Sequence, residues 1–509
     1  MDINLTSQTV KNETTVFCIT TEAGVEGTAV LDRTKSIKKI LKTSGRAAVT
    51  SKTVSDRTVT VEGTVTFCVI YIDSNNTFFS HEHTMPFSKT VDADRSLSGT
   101  ELYADITEEK YSSTLCSDGT VMLNGKLCIK ICAIEKSSLD IMCDISGRDI
   151  ELLCSKAEAT VPMGRGEKNL ILDEEISVGN GQPSVGSIIR YCATSSVEES
   201  KIISGKVMVK GTVRVYVLYM PEEGTRPQSF EDSFVFSQLI DVDGITDECK
   251  CDSHADILFF DITPKADETD EIRSFSVAVK IGVFVKAYCD NDLPVVLDAY
   301  STQGNCEFKR ESFSFKKITE TVSDKFIAKK EIEFTDGAIG SVIDMWCEVR
   351  NSVCRTEKEH YKLTGTILIN LLAFDCDGEP ECYERPVDFE YTYKFDTPCN
   401  DPEVVYSLSV PHSSYTIIGA NTVSVAVEPQ IFATVYDNNR YTLISDVVET
   451  QKNEENPRKS CIVLYFAEKG ERVWDIARKY NSSVREIKEL NSVSEDILIE
   501  AKKFIIPTK

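Results

Sequence analysis

The stretch GTVTFCVIYID (residues 63–73) decides the fold, because the chain repeats it twice more without gaps. Self-similarity at a long, nearly constant period is the mark of a repeat architecture. The stretch therefore predicts three copies of one structural unit. The other two copies are GTVRVYVLYMP (211–221) and GTILINLLAFD (365–375).

Two further features recur with this stretch. Ile40 and Ile188 each precede the glycine of their copy by 23 residues, and Ile343 precedes the third glycine by 22. Each copy is followed by a second strand-like stretch: MLNGKLCIKICAI, FSVAVKIGVFVKAY and VSVAVEPQIFATVY. We therefore place the three units at residues 17–136, 168–292 and 325–438.

The units have a β pattern. VTVEGTVTFCVIYI and KVMVKGTVRVYVLYM are rich in Val, Thr, Tyr and Ile and partly alternate, and DSNN and DNN supply turn residues. Long amphipathic helical patterns are absent from these segments. The predicted fold class is mainly β, with three tandem sandwich-like domains, each large enough to bury its own core.

Charge excludes one class of partner. The chain of 509 residues has a net charge of −25, while its last 49 residues are close to neutral. A body this acidic repels phosphate backbones, so no nucleic-acid partner is expected. Residues 1–11 show no signal peptide and no apolar run is long enough to insert in a membrane, so a cytoplasmic location is predicted.

The 18 cysteines do not form a recognisable framework. No CxxC occurs, and many cysteines lie inside apolar strand patterns such as TFCVIY, where a thiol acts as a small buried hydrophobe. In a reducing compartment they are predicted to be free thiols, and oxidation at a later stage, in a different setting, is left open.

Catalytic and metal-binding patterns are missing. HEH (81–83) reads as a solvated loop, and CKCDSH (249–254) lacks an evident fourth zinc ligand. Neither a nucleophile elbow nor a GxxxxGK[ST] phosphate loop occurs. We expect no catalytic residues, no cofactor and no metal, and hence a protein that is not an enzyme.

The C-terminal end differs from the rest. ETQKNEENPRKS (449–460) is polar and charged and is predicted to be a flexible linker. Residues 461–508 then predict a strand, two helices and a strand: IVLYF opens this terminal module and FIIP closes it. Ser483 with Glu486 is a capping-box pattern for the second helix. The apolar helix faces are predicted from Val473, Ile476, Ala477 and Tyr480, and from Val484, Ile487 and Leu490.

This terminal module resembles the LysM domain. The resemblance covers residues 462–507 and rests on Gly470, Trp474, the Tyr480-Asn481 break, the VREIKELN helix that ends on Asn491, and the closing IIP. It implies a shallow groove for glycans that contain N-acetylglucosamine.

The loops that border such a groove depart from the family pattern. Gly470-Glu471-Arg472 replaces the usual Gly-Asp-Thr, and residues 500–503 (EAKK) replace the usual Pro-Gly. A protein partner therefore fits these loops better than a sugar.

The three units in turn resemble the SPOCS domain of spore coat proteins from endospore-forming bacteria. SPOCS repeats followed by one LysM domain resemble clostridial spore coat morphogenetic proteins, and this likeness covers nearly the whole chain. It implies a non-enzymatic scaffold in the mother-cell cytoplasm at the forespore surface. There its LysM domain would bind the coat-basement ATPase and tether the coat, with other coat proteins as further partners. The alternative is a binder of peptidoglycan or of another N-acetylglucosamine glycan.

Four residues are predicted to contact the partner: Lys469, Arg472, Trp474 and Asn491. Trp474 has two interpretations, since it either packs the module's core or reaches the surface as an aromatic anchor. The basic residues would meet an acidic patch.

Overall fold

A computed structural model provides the structure of the chain. It consists mostly of antiparallel strands, as the mainly β fold class predicted, and ends in a module with two short helices. The predicted linker, 449–460, lies almost entirely outside the described residues. The structure describes residues 3–450 and 462–508, apart from 33, 35, 118, 148, 180, 225, 269, 304–305, 335–338 and 420.

The first unit contains six strands in two three-stranded sheets. One sheet has the order β2-β3-β4 and the other the order β1-β6-β5. The long strands β1 and β6 pair antiparallel from Asn4↔Ser146 to Val30↔Thr120. The strands are β1 (Asn4–Val30), β2 (Ile37–Ser55), β3 (Thr58–Asp73), β4 (Phe78–Asp92), β5 (Glu101–Leu115) and β6 (Thr120–Ser146).

The second unit repeats this topology, with one sheet of order β8-β9-β10 and another of order β7-β12-β11. Its strands are β7 (Ile150–Ser177), β8 (Val185–Ile203), β9 (Lys206–Pro221), β10 (Gln228–Asp241), β11 (Lys250–Ala266) and β12 (Ile272–Ser301).

In the strands that the structure describes, the third unit differs from the other two in its first strand, which is interrupted. Both pieces, β13 and β14, pair with β19, and β18 pairs with the other edge of β19, while β15-β16-β17 form the second sheet. Its strands are β13 (Cys306–Lys325), β14 (Ala328–Glu333), β15 (Ile339–Thr356), β16 (His360–Asp375), β17 (Pro380–Lys394), β18 (Pro402–Gly419) and β19 (Thr422–Glu449). The domain bounds predicted from the sequence are narrower than these strands and stay a prediction.

Each unit is a β-sandwich with its own apolar core. In the first unit, Val65 and Phe67 of β3 face Leu127 and Ile129 of β6, and all four side chains are fully buried. Burying one such side chain contributes about 1.5–3 kcal/mol. Alternating apolar positions on the central strands therefore hold the two sheets together.

The signature glycine lies where two groups approach the strand closely. A Cβ at Gly63 would lie 2.2 Å from the backbone oxygen of Ala48 and 2.5 Å from the ring of Phe87. Gly211 has the same surroundings, from Ser196 and Phe236. Only glycine leaves room for the neighbouring carbonyl and the phenyl ring, so the residue recurs in every copy.

The second half of the signature stretch is apolar at every position because both of its faces are buried. Val69 and Tyr71 face the core of their own unit, whereas Ile70 and Ile72 face the other two units. Strands that are buried on both faces read as continuous apolar runs.

The three units meet in one apolar cluster, the central junction. Ile70, Leu218 and Leu372 each lie seven residues after their signature glycine, and all three are fully buried there. The units therefore pack around a common centre as three quasi-equivalent copies. The buried members are Ile70, Ile72, Phe78, Ile189, Leu218, Met220 and Leu372.

The three units contact one another in a closed ring. The hydroxyl of Tyr191 in the second unit donates to Glu82 of the first, at 2.8 Å. Tyr216 of the second unit donates to Asp344 of the third, also at 2.8 Å. The ring closes where Lys42 of the first unit donates to Asn370 of the third, at 2.7 Å.

A second shared region, the stem, is formed by the first parts of β1, β7 and β13 and the last parts of β6, β12 and β19. Its buried apolar side chains come from all three units, among them Ile141, Val295 and Leu443. A neighbouring cluster joins Met142, Val296 and Ile444 in the same way. The stem extends the quasi-threefold arrangement beyond the sandwiches.

Among the described cysteines, two pairs are bonded: Cys18 with Cys132, and Cys249 with Cys289. The prediction that all thiols are free was wrong for these four. Cys18 and Cys132 lie directly opposite each other on β1 and β6. Pairing between distant strands brought such residues together, and sequence spacing does not reveal that.

Candidate functional site: the C-terminal module

The terminal module has the predicted order of strand, helix, helix and strand. Its strands pair antiparallel, from Ile462↔Pro507 to Ala467↔Lys502. The elements are β20 (Ile462–Ala467), α1 (Val473–Lys479), α2 (Val484–Asn491) and β21 (Lys502–Pro507). A small core holds them: Val473, Ile476, Ala477, Ile487, Leu498, Phe504 and Ile506 are each at most 5% exposed.

The helix ends agree only partly with the sequence prediction. Arg472 and Ser483 are the N-cap residues, and neither side chain makes a capping hydrogen bond. The capping-box prediction was therefore wrong for the Ser483 side chain. Leu490, predicted on the apolar face of α2, is 54% exposed, and Asn491 turns inward instead.

The four residues predicted to contact a partner do not share one surface. Lys469 and Arg472 are exposed in the loop between β20 and α1. Trp474 and Asn491 are each only 8% exposed and have partners inside the molecule. A contact role for all four stays a prediction, and burial disfavours it for Trp474 and Asn491.

Asn491 fastens α2 to the last strand. Its side-chain amide donates to the backbone oxygens of Ile487 and Ile505, each at 2.8 Å, and its side-chain oxygen accepts from the Ile505 backbone nitrogen at 2.7 Å. Every polar atom of this amide thus has a partner within the module, which explains its burial.

The loops that border the predicted glycan groove are tied together by their backbones. Gly470 donates to the oxygen of Leu498 at 2.8 Å, and Leu498 donates back to the oxygen of Glu471 at 2.9 Å. Val473 donates to the oxygen of Asp496 at 2.9 Å. These groups are engaged with one another rather than turned toward a ligand.

One face of the terminal hairpin is apolar and open to solvent. Ile462, Leu464 and Phe466 alternate along β20 and are 60%, 52% and 71% exposed, and Ile505, opposite Leu464 on β21, is 38% exposed. We call these four residues the strand face. The Lys503 ammonium lies 5.2 Å from the centre of the Phe466 ring, so the face has a basic margin.

Trp474 lies against the second unit. Its indole nitrogen donates to Oδ2 of Asp298 at 3.0 Å, and Arg478 donates to the same oxygen at 2.7 Å. The Tyr300 ring packs edge-on against the indole at 5.0 Å, and its hydroxyl donates to the backbone oxygen of Ser482 at 2.6 Å. Trp474 thus packs in a buried contact, but the contact joins the module to another domain.

Asp298 is held ionised at this contact. Burial alone would raise its pKa, but hydrogen bonds from Trp474 and Arg310, with the charges of Arg478 and Arg310, outweigh burial. The pKa of the carboxyl is therefore lower than its ordinary value. No pattern in the sequence singled out Asp298 or Tyr300.

The other candidate sites are structural. His81 and His83 lie on β4 rather than in the predicted loop, and their rings stack at 6.4 Å. Cys249 is bonded to Cys289, and His254 stacks on Phe284 at 4.9 Å. Among the described residues, no three or more His, Cys, Asp or Glu side chains are grouped so that they could hold a metal ion.

Comparison with known protein families agrees with this architecture. A model of the family described as "SipL, SPOCS domain" matches residues 36–116 and 184–265, in the first and second units, and the LysM domain model matches residues 467–507. The chain thus contains SPOCS domains and a C-terminal LysM domain. The third unit, residues 306–449, has the same strand order and the same signature glycine as the two matched SPOCS units.

No curated protein and no solved structure matches the chain. Within the described residues, none of the helices has the length and apolar character needed to cross a bilayer. SPOCS and LysM domains are non-catalytic binding domains, which favours a binding role over an enzymatic one. Their combination supports a function connected with the spore coat, through binding of protein or glycan.

Proposed function

We propose that this SPOCS–LysM protein is a non-enzymatic spore coat morphogenetic scaffold. Its LysM domain binds the coat-basement ATPase on the forespore surface in the mother-cell cytoplasm. The SPOCS units form the body that tethers the coat and offers surfaces to other coat proteins. Nucleic acid and membrane insertion have no part in this function.

The strand face carries the proposal. Leu464 and Phe466 point to solvent on a small domain that already has a complete core, so core packing does not account for them. An exposed apolar face with charged margins is typical of protein–protein contacts. The binding of a glycan instead requires polar groups that meet sugar hydroxyls, and the backbone groups of Gly470, Val473 and Leu498 are already paired within the module.

Charge supports the same partner class. Lys469 and Arg472 are exposed beside the first helix, and Lys503 lies at the edge of the strand face. The SPOCS body carries the acidic excess of the chain. We therefore propose that the basic residues meet an acidic patch on the ATPase, so binding should weaken as salt rises.

A binding assay with the full-length chain tests this function. The double variant Leu464→Glu/Phe466→Glu should bind the purified ATPase at least tenfold more weakly than wild type, while its circular dichroism is unchanged. Val235→Glu, at a 77% exposed valine of the second unit, is the matched control and should bind normally.

Two results would count against the proposal. One is unchanged ATPase affinity of the double variant. The other is capture of the wild-type protein by purified peptidoglycan but not by the ATPase, which would favour the glycan alternative. A full-length chain that binds the ATPase equally at 50 mM and 500 mM salt would remove the electrostatic part alone.

A further inference from the structure

The three SPOCS units carry an aspartate at one equivalent position, and the second unit has neighbouring residues there that the other two units lack. Asp144, Asp298 and Asp446 each follow a β-bulge near the end of the long central strand, at Cys143, Leu297 and Ser445. Each is two residues beyond an apolar side chain of the shared stem: Met142, Val296 and Ile444. The aspartate is therefore a common element of the repeat, and among the described residues the LysM domain hydrogen-bonds to the copy at Asp298.

Two neighbouring positions distinguish the second unit. The residue two places after the aspartate is Tyr300 here, but Ser146 in the first unit and Val448 in the third. Only Tyr300 combines a ring that can pack on the Trp474 indole with a hydroxyl that reaches the backbone of Ser482.

The second distinguishing position comes from the next unit around the stem. Arg310 on β13 donates to Oδ1 of Asp298 at 2.5 Å and leaves Oδ2 for the LysM domain. Strand register places Cys154 and Ser7 at the positions equivalent to Arg310. Neither cysteine nor serine carries a guanidinium that could orient a carboxylate. Asp144 and Asp446 therefore lack an equivalent of the Arg310 hydrogen bond.

We propose that Asp298, Tyr300 and Arg310 form a dock that selects one of three quasi-equivalent places on the body and holds the LysM domain there in a single orientation. The docked domain turns Trp474 inward, and the strand face remains exposed. Trp474 is thus a docking residue and does not contact an external partner. The proposal is independent of what the strand face binds.

The chemistry of the dock favours a defined geometry over loose association. Oδ2 of Asp298 accepts from both the indole nitrogen and the guanidinium of Arg478, while its side chain is only 14% exposed. Charge-assisted hydrogen bonds that are shielded from water are stronger and more directional than exposed ones. Leu153, opposite Asp298 on β7, adds apolar contact to the LysM core.

Fluorine NMR of the full-length chain can test the dock directly. The chain has two tryptophans, Trp346 in the third unit and Trp474. After incorporation of 5-fluorotryptophan, the Trp474→Phe variant assigns the two signals. A docked domain tumbles with the whole molecule, so both lines should be equally broad in the wild-type protein.

Substitutions in the dock should release the domain. Tyr300→Phe retains the ring but removes the hydrogen bond to Ser482, and should lower the docking equilibrium constant about tenfold. Tyr300→Ser, which installs the residue of the first unit, and Asp298→Asn should narrow the Trp474 line toward that of a small independent domain. The Trp346 line should not change, which shows that the body remains folded.

Asp144→Asn and Asp446→Asn are matched controls at the equivalent positions, and they should leave the Trp474 line broad. The dock would be refuted if the wild-type Trp474 line were already narrow. It would also be refuted if Tyr300→Ser and Asp298→Asn left that line unchanged. A change of equal size in the two controls would refute selection of the second unit.

Discussion

Arg190 and Asp344 occupy equivalent positions in the second and third units and pair with each other across the central junction. The guanidinium Nε lies 3.6 Å from the carboxylate Oδ2, and each side chain is at most 12% exposed. Lys42 is the equivalent residue of the first unit, because the three residues lie opposite Ile70, Leu218 and Leu372 in their hairpins. The same position of the repeat is therefore a cation in the first two units and an anion in the third, and all three residues lie near the common centre.

Removal of one member of this pair should be costly. Arg190→Met leaves the buried Asp344 carboxylate without its countercharge, and we expect the free energy of unfolding to fall by about 3–5 kcal/mol. The double variant Arg190→Met/Asp344→Leu removes both charges and should lose less. Urea unfolding of the three proteins measures the difference.

An exposed ion pair provides the control for this comparison. Lys156 and Asp292 pair with 71% and 59% of their side chains exposed, so Lys156→Met should cost less than about 1 kcal/mol. Equal losses for Arg190→Met and Lys156→Met would mean that burial at the junction has no energetic weight.

The signature glycine should not tolerate a methyl group. In Gly211→Ala the new Cβ would lie 2.2 Å from the Ser196 oxygen and 2.5 Å from the Phe236 ring, so the strands must shift. We expect a loss of about 1–3 kcal/mol. Gly24→Ala, at a strand glycine with nothing within 4 Å of the added Cβ, should be neutral or slightly stabilising. Similar melting temperatures for the two variants would contradict this interpretation.

Thiol reactivity should separate the surface from the junction. Burial, reinforced by the charge of Glu82, raises the pKa of Cys68 to about 12, whereas Cys376 is exposed. Because the thiolate is the reactive form, iodoacetamide at pH 8 should modify Cys376 rapidly and Cys68 only after unfolding in urea. Mass spectrometry of the peptides measures both rates, and equal rates in the native protein would refute the prediction.

The raised pKa of Cys68 also predicts that the folded protein loses stability at alkaline pH. The unfolded thiol ionises near its ordinary value of 9.0, while the folded thiol ionises near 12. The contribution of this group to stability is therefore complete below pH 9 and is lost as the pH rises toward 12. Cys68→Ala should flatten that part of the stability profile.

Docking of the LysM domain should withstand mild acid. The partners of Asp298 lower the pKa of its carboxyl, so its contribution is complete above about pH 3.9 and is lost as the pH falls through the lowered value. Tyr300, whose pKa is raised by burial and by the charge of Glu151, stays protonated in this range.

The Trp474 fluorine line measures this dependence. It should stay broad from pH 7 to pH 5 and begin to narrow only below about pH 4. Asp298→Asn should show no such transition in the same range. A wild-type line that narrows near pH 6 would point to a different titrating group.

The sequence predicted the features that depend on local pattern. Three repeats, a β fold and a strand–helix–helix–strand module follow from periodicity and from spacing, and the structure confirms them. In the third copy, the residue equivalent to Ile40 and Ile188 was misassigned by one position. Register places Val342, 23 residues before Gly365, at the position of Ile40 and Ile188, because Ile343 is the extra residue of a bulge.

Features that depend on distant contacts could not be predicted in this way. Trp474 meets Asp298 across 176 residues of chain, and nothing in either neighbourhood indicates the other. The strand face is different, because IVLYF is apolar at every position, whereas a strand with one solvated face alternates. That departure could have indicated that both faces of β20 require contact.

The closed ring of SPOCS units limits how this molecule can polymerise. Each unit meets both of the other units, and the third returns to the first. Head-to-tail contacts that close are saturated, and only those that fail to close can propagate into a filament. In the proposed scaffold role, lateral extension over a spore therefore requires surfaces other than the ring contacts, and each molecule adds a discrete block.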